Sequence, residues 1–467
     1  MRAKAVPSKW IQREGFRLDV GPYLSGALEA RARLEELSVR KDRLKDITKG
    51  HNGGIFNGPQ FRRNYVSSPE HGVPFLTSGT IMRADHSTLP LLKRKDAIGP
   101  RLAYLQVRQG TSLISSSGTI GRMAYTRPDM DGMWSSQDVM KVVPDPDKIP
   151  PGYLYAYLSS KFGVPQVLSG TYGAIIPHIE PQHIADLEVP RLGEALEQQV
   201  HALVEEAAIS RTNTRRLYEQ ADEALHTELR IVRPRPLADY PHPSTTSISS
   251  TFLQSRTDAF YYSNANKDAR AAWNGASSPL RSLDSVAEVF IPGIFKRKYA
   301  DDPTYGHPYI TGADIFQLAP TSERYLMKKV AAQYDLVIRE GMILIQEAGQ
   351  LGGLIGRSVM AGRYLDGFAC TNNVVRVSPF EKGDAGYLFA LLASEYGVRL
   401  LSREAAGSSI PHTEVGRVKR LSIPWPSDDT RCRVGATALE ATELRDSACE
   451  MDMAAQAIIE AAIQEAT

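Results

Sequence analysis

Two stretches of the chain carry apolar residues at helical spacing over an unusual length. Between Gly193 and Arg230, the residues Leu196, Val200, Leu203, Ala207, Leu217, Ala221 and Leu225 follow a three- and four-residue rhythm, with no Gly or Pro after Gly193. From Val434 to Ala462 the series is Val434, Ala438, Ala441, Leu444, Ala448, Met451, Ala455, Ile458 and Ala462. At ~1.5 Å per residue each series predicts a helix on the order of 50 Å long. Such a helix needs a cover for its stripe, and the many alanines let the two pair closely as an antiparallel coiled coil. The remaining sequence shows short β-type runs broken by Gly and Pro. A short helix is predicted near Tyr153–Phe162 and another near Tyr387–Glu395. Strand-like runs at Leu187–Pro190 and Leu421–Pro424 lead into the long helices. The order predicts mixed α/β domains, each followed by a long helix.

Comparing the chain with itself explains why this order occurs twice. Tyr153–Pro190 aligns without gaps on Tyr387–Pro424, an offset of 234. The match pairs Gly163-Val164 with Gly397-Val398, Gly173 with Gly407, Ile176-Pro177-His178 with Ile410-Pro411-His412, and Glu180 with Glu414. Pro74–Thr77 matches Pro308–Thr311 at the same offset, and Arg17, Asp19 and Tyr23 match Arg256, Asp258 and Tyr262 slightly out of step. A glycine-rich segment lies between these blocks. It runs from Gly110 through Gly118-Thr119-Ile120-Gly121-Arg122 in the first copy and from Gly341 through Gly352-Gly353-Leu354-Ile355-Gly356-Arg357 in the second, which carries an insertion there. By contrast, Thr48–Asn64 and Phe290–Asp302 share little beyond position, as do Leu89–Arg108 and Ser322–Arg339. Divergent segments on a repeated frame read as loops.

Bulk properties narrow the class. The chain has 467 residues, 42% hydrophobic and 23% charged, enough for two or three domains with proper cores. No apolar run approaches the roughly 18 residues that cross a bilayer, and the N-terminal segment, charged at Arg2, Lys4, Lys9, Arg13 and Glu14, has no signal-peptide pattern. A cytoplasmic protein is expected. The net charge of +2 argues against a sequence-blind polycation. Cys370, Cys432 and Cys449 fit neither a disulfide framework nor a zinc site, and are expected to be buried thiols.

Catalytic signatures are scarce. The sequence holds no phosphate-binding Gly-x-x-x-x-Gly-Lys loop, no His-Glu-x-x-His pair, no Gly-x-Ser-x-Gly elbow and no Asn/Asp-Pro-Pro-aromatic motif. Gly352-Gly353-Leu354-Ile355-Gly356 superficially resembles a dinucleotide loop, but its counterpart Gly118–Gly121 reads as a tight turn between strands. His178/Glu180 and His412/Glu414 could face one way on a strand, yet two ligands make a poor metal site. A turn-fixing Pro, a hydrogen-bonded His and a solvated Glu explain them better. Arg17/Asp19/Tyr23 and Arg256/Asp258/Tyr262 read as structural salt bridges with a packed Tyr.

The basic clusters lie in or beside the divergent segments. Phosphate binding needs such cations, and base reading needs Arg, Lys, Asn or Gln held on loops. The DNA-binding candidates are Lys49, His51, Asn52, Arg62, Arg63, Asn64, Lys93, Arg94, Lys95 and Arg122 in the first copy. In the second they are Lys296, Arg297, Lys298, Lys328, Lys329 and Arg357.

Taken together, the duplicated order, the Gly-x-Ile-Gly-Arg segments, the Ile-Pro-His elements and the two long helices resemble the specificity subunit of type I restriction-modification systems, or of a related phage-defence methylation complex. The resemblance spans nearly the whole chain. The second copy departs from it in its Gln350–Leu354 insertion, and the linker in its many prolines. It implies target-recognition domains at 1–190 and 251–428, long spacer helices at 191–232 and 429–467, and a proline-rich linker at 233–250. Each domain would read one half of a bipartite site in double-stranded DNA. The helix pair would act as a ruler spanning about one turn of DNA, ~34 Å, and would dock two DNA adenine methyltransferase subunits, with a restriction translocase as a possible addition. S-adenosylmethionine and ATP would belong to those partners and this chain would be non-catalytic. The rivals are a protein-binding scaffold and an enzyme using the glycine-rich or Pro-His-x-Glu segments.

Overall fold

The computed structural model describes residues 5–13, 16, 21–24, 26–169, 178–241, 243–254 and 256–466. The chain divides into two compact units, Met1–Thr212 with Ala448–Thr467, and Asn213–Ser447. Both boundaries fall inside long helices, so each unit contains a stretch of each.

The first unit has strands β1 (Lys41–Arg43), β2 (Ile55–Phe56), β3 (Tyr65–Val66), β4 (Gly72–Leu76), β5 (Leu91–Lys93), β6 (Ser112–Ser115), β7 (Met123–Tyr125), β8 (Trp134–Ser135), β9 (Val139–Val142) and β10 (Glu188–Pro190). They build sheets of order β2-β9-β6-β7 and β3-β5-β4-β8 and a small β1-β10 pair. The second unit has β11 (Leu280–Ser282), β12 (Ala287–Phe290), β13 (Tyr299–Ala300), β14 (Gly306–Ile310), β15 (Tyr325–Met327), β16 (Ile343–Gln346), β17 (Ser358–Met360), β18 (Ala369–Cys370), β19 (Val374–Pro379), β20 (Ala405–Ala406), β21 (His412–Thr413) and β22 (Ser422–Pro424). Its sheets run β12-β19-β16-β17 and β13-β15-β14-β18, with β11-β22 as the small pair and β20-β21 as a hairpin. Apart from the β20-β21 hairpin the topology repeats, down to the parallel pairs β4–β8 and β14–β18.

Period-two alternation sets the layers. On β6 and β9, Ile114, Met140 and Val142 join the helix-facing core, while Leu113 and Val139 face the second sheet with Leu76 and Ile81. On β16 and β19, Ile343, Ile345, Val375 and Val377 take the first role, and Leu344 and Val374 the second, with Ile310.

Helices α1 (Pro151–Leu158) and α2 (Gly163–Ser169) are followed by the long α3 (Glu194–Leu229); α4 (Ala385–Ala393) and α5 (Glu395–Arg403) by the long α6 (Asp428–Glu465). The repeated Gly163 and Gly397 make the tight corners between the short helices. A Cβ at Gly163 would lie 2.2 Å from the Tyr157 carbonyl oxygen, and one at Gly397 2.4 Å from that of Leu391. Both amides donate to a serine hydroxyl, Ser160 and Ser394 respectively. The repeated tyrosines tie α1 and α4 to the last strands, Tyr153 Oη donating to the Pro190 carbonyl at 2.5 Å and Tyr387 Oη to that of Pro424 at 2.8 Å.

The long helices run antiparallel. In the first unit Arg211 pairs with Asp452 at 2.7 Å; in the second, Tyr218 meets Thr442 at 3.2 Å and Glu228 pairs with Arg433 at 3.1 Å. Among the apolar positions predicted for α3, Val200, Ala207, Leu217, Ala221 and Leu225 are buried. The expectation of three buried thiols fails at one position. Cys370 and Cys449 are buried, but Cys432, in the first turns of α6, is exposed. The proline-rich segment is also held in place, with buried Tyr240 donating to Asp268 at 2.7 Å and Arg399 donating to the Arg235 carbonyl. Among the described residues, no helix is long and apolar enough to cross a membrane.

One buried titratable group makes the first unit acid-sensitive. His86 is 3% exposed, its Nε2 facing the Thr80 carbonyl at 3.2 Å and its Nδ1 facing an Arg127 N–H at 3.3 Å. Burial, then the Arg127 charge, push its pKa down to about 4. The unfolded chain takes up this proton near 6.5, so the stability contributed by neutral His86 is complete above that pH and is lost as pH falls towards 4. Between pH 7 and pH 5 the parent should lose about 2 kcal/mol more than a His86→Gln variant, read from urea midpoints. Equal losses would refute the assignment.

Candidate nucleic-acid interface

The glycine-rich segments are hairpin connections. β6 pairs with β7 and β16 with β17, and the turns need left-handed residues: φ is +79° at Gly121 and +78° at Gly356. Close packing reinforces the requirement, because a Cβ at Gly121 would meet Leu168 and one at Gly356 the Ser402 backbone nitrogen. Arg122 and Arg357 are therefore carried on the tips of equivalent hairpins. Arg122 is exposed, and Arg357 Nε donates to the Gly353 carbonyl at 3.2 Å.

These hairpins join other loops at one end of each fold. In the first unit the Ser116 amide donates to the Asp138 carbonyl at 2.9 Å, and the Ile179 amide to the Ser116 carbonyl at 3.1 Å. This brings together the β6–β7 turn, the β8–β9 connection and the segment at His178. In the second unit the Glu347 amide donates to the Asn373 carbonyl at 3.3 Å and the Thr413 amide to the Glu347 carbonyl at 2.9 Å. The segments at His178–Glu180 and Pro411–Glu414 are thus structural flanks of the hairpins. His412 pairs with Glu347 at 2.9 Å rather than with Glu414. Glu180 caps the short helix Pro181–Ile184 in a capping box with His183, and Glu414 stands at the N-cap of the helix Val415–Lys419 and pairs with Arg417 at 2.7 Å. Arg256 and Asp258 form the expected salt bridge at 2.6 Å beside buried Tyr262; Arg17, Asp19, Gly173, Ile176 and Pro177 lie outside the described residues.

The basic clusters are brought together in pairs, at equivalent places. The Lys93 amide donates to the Asn64 carbonyl at 2.8 Å, joining Arg62–Asn64 to Lys93–Lys95; the Met327 amide donates to the Lys298 carbonyl at 3.0 Å, joining Lys296–Lys298 to Lys328 and Lys329. Arg63 lies 5.7 Å from the Phe75 ring centroid and Arg297 5.9 Å from that of Tyr309. Phe61 and Tyr65 flank Phe75 as Phe295 and Tyr299 flank Tyr309.

This corrects the expectation that Thr48–Asn64 and Phe290–Asp302 share little. Phe61-Arg62-Arg63-Asn64-Tyr65 and Phe295-Lys296-Arg297-Lys298-Tyr299 stand at the same offset of 234 that relates the other blocks. Holding that offset through the segment would have found the repeat. Not every candidate cation is equally available. Arg63 pairs with Asp138 at 3.0 Å and Arg297 Nε donates to Tyr309 Oη at 3.0 Å. Arg94 donates to the carbonyls of Pro69, Glu70 and Gly72. Lys93, Lys95, Lys296, Lys298, Lys328 and Lys329 are exposed.

Lys49, His51 and Asn52 fall elsewhere. The Lys49 amide donates to the Val143 carbonyl, at the end of β9 away from Asp138. Its ammonium is held by Asp145 at 2.8 Å and Asp147 at 3.4 Å, which raises its pKa. His51 stacks on Tyr104 with ring centroids 3.9 Å apart, and Asn52 adopts a left-handed φ of 47°. Asn52 does line a groove of about 570 Å³ with Asn57, Glu180 and Gln182. No group of three or more His, Cys, Asp or Glu placed to hold a metal ion occurs among the described residues.

No protein-family model matches the chain, and no curated protein matches it. Among solved structures it is similar to a type I restriction-modification system S subunit from M. genitalium, at 12% identity and a TM-score of 0.40, covering 92% of this chain and 96% of that one. It is also similar to the HsdS subunit from Thermoanaerobacter tengcongensis, at 15% identity and a TM-score of 0.29, with 92% and 97% covered. A third similar structure, from work on complex assembly and conformational transition of the type I R-M system, has 15% identity and a TM-score of 0.27, with 91% and 97% covered.

Proposed function

We propose that the chain is a DNA-specificity subunit of a type I restriction-modification-like complex. Each unit reads one half of a bipartite duplex site. The observation that carries this reading is the duplicated cation-aromatic segment, Phe61–Tyr65 and Phe295–Tyr299, set in both units beside a cluster of loops whose residues differ. A phosphate backbone is the same wherever it is met, so its contacts repeat; the bases of two half-sites differ, so the contacts that read them do not. The antiparallel helices fix the gap between half-sites and dock DNA adenine methyltransferase subunits, with a restriction translocase as a further partner. S-adenosylmethionine and ATP act in those partners, and this chain holds the DNA without chemistry of its own.

A duplex library with randomised positions, selected on the full chain with and without its cognate methyltransferase, tests this. Two enriched half-sites at a fixed gap are expected, and removing one heptad from each long helix should change the gap while leaving both half-sites readable. Enrichment of no sequence in either arm would favour a protein scaffold; turnover of DNA or S-adenosylmethionine by the chain alone would make it an enzyme.

A further inference from the structure

A buried cation occupies the same strand position in both units. Lys141 on β9 is 1% exposed and Arg376 on β19 is 0% exposed. Each shares its strand face with a valine of the inter-sheet core, Val139 or Val374. Each pairs across the sheet with a phenylalanine, Phe56 or Phe290, and sits 5.8 Å or 6.0 Å from that ring's centroid. Such a position calls for an aliphatic side chain, and a buried charge is costly without partners. Burial pushes the Lys141 ammonium down to about 7.

The partners, all but the Leu336 carbonyl, belong to one short connection. Lys141 Nζ donates to Val139 at 2.9 Å and Ser136 at 3.4 Å. Arg376 donates to Val374 at 3.0 Å, Cys370 at 3.1 Å and Thr371 at 3.4 Å, and to Leu336 at 3.4 Å. Apart from that of Leu336, these carbonyls bracket in each unit the link from the parallel strand of one sheet to the central strand of the other, residues Ser136–Asp138 or Thr371–Asn373. The links are further pinned through backbone amides, Ser136 to the Leu76 carbonyl at 2.8 Å and Thr371 to that of Ile310 at 3.1 Å.

The frame around the link repeats and its side chains do not. Gln137-Asp138 stands where the other unit has Asn372-Asn373. Gln137 Oε1 is buried without a hydrogen-bond partner, Asp138 is held by Arg63, and Asn373 is exposed. Amide side chains match the paired donor and acceptor of a base edge, and a reading side chain works only on a backbone fixed to within a fraction of an ångström. Resting on the function proposed above, we infer that Ser136–Asp138 and Thr371–Asn373 are the base-discriminating elements of the two half-sites, with Lys141 and Arg376 as their positioning residues.

The test selects a randomised duplex library on the full chain and on three variants, then measures salt dependence of binding on the selected duplexes. Gln137→Asn with Asp138→Asn should change the preferred base by at least about tenfold at one or two positions of one half-site, leaving the other half-site as in the parent. Arg376→Met should broaden the other half-site with an unchanged salt slope, and Arg376→Lys should restore it, an outcome that a merely structural role would not give. If Arg376→Met does not fold by circular dichroism, the link exchange and Arg376→Lys decide alone. Link variants that bind with the parent's base preferences overturn the inference. A parent that enriches no half-site overturns the specificity reading itself, a distinguishable result.

Discussion

Replacing Asp452 with alanine is expected to cost the first unit about 3–5 kcal/mol. Arg211 and Asp452 have side chains only 7% and 10% exposed, at 2.7 Å. The guanidinium also donates to the Ala448 carbonyl at 3.3 Å, while its Nε is buried without a partner. Removing the carboxylate strands a buried charge beside Tyr155, with no other carboxylate among the described residues to pair with it. The urea midpoint should fall by about 1 M or more, with faster hydrogen exchange in Glu194–Thr212. Removing both partners, Arg211→Met with Asp452→Leu, should recover most of the loss, because the stranded charge rather than the missing bridge is what costs. The pair therefore acts mainly on register: sliding α3 past α6 would leave both charges unmatched. A double variant as unstable as the single one would show that the bridge itself supplies the stability.

How much of this could be read from the sequence depended on whether the signal was local. The long helices announce themselves because Val200 to Leu225 and Val434 to Ala455 repeat over many turns, and the hairpins because Gly118, Gly121, Gly352 and Gly356 all need positive φ. The cation-aromatic segments that run into β3 and β13 were harder. β3 and β13 are two residues long, too short for any periodicity, and only a fixed offset between copies reveals them. Lys141 and Arg376 mislead outright. In Val139-Met140-Lys141-Val142 and Val374-Val375-Arg376-Val377 the cation reads as the solvent side of a half-buried strand. A second sheet covers that side, a fact of tertiary structure that strand alternation cannot carry. The same holds for Lys49, whose charge looks available until Asp145, far along the chain, closes on it.

Alanine at both Arg63 and Arg297 should lower affinity for the selected duplex by about 100-fold near 0.1 M salt, through two charge-assisted contacts of about 1.5 kcal/mol each. The slope of log affinity against log salt should become shallower by about 2. The half-site read by the second unit should stay the same, because phosphates carry no sequence information, while that read by the first should blur, because Asp138 of its link loses its partner Arg63. The two positions then separate on one further point. Arg63 also holds Asp138 of the β8–β9 link at 3.0 Å, whereas Arg297 rests on Tyr309 Oη. Arg63→Lys should therefore keep the salt slope and blur one half-site slightly, while Arg297→Lys should keep both slope and preference. Loss of sequence preference with no change in slope would mean that these arginines read bases, and the division between a repeated phosphate frame and divergent reading links would have to be abandoned.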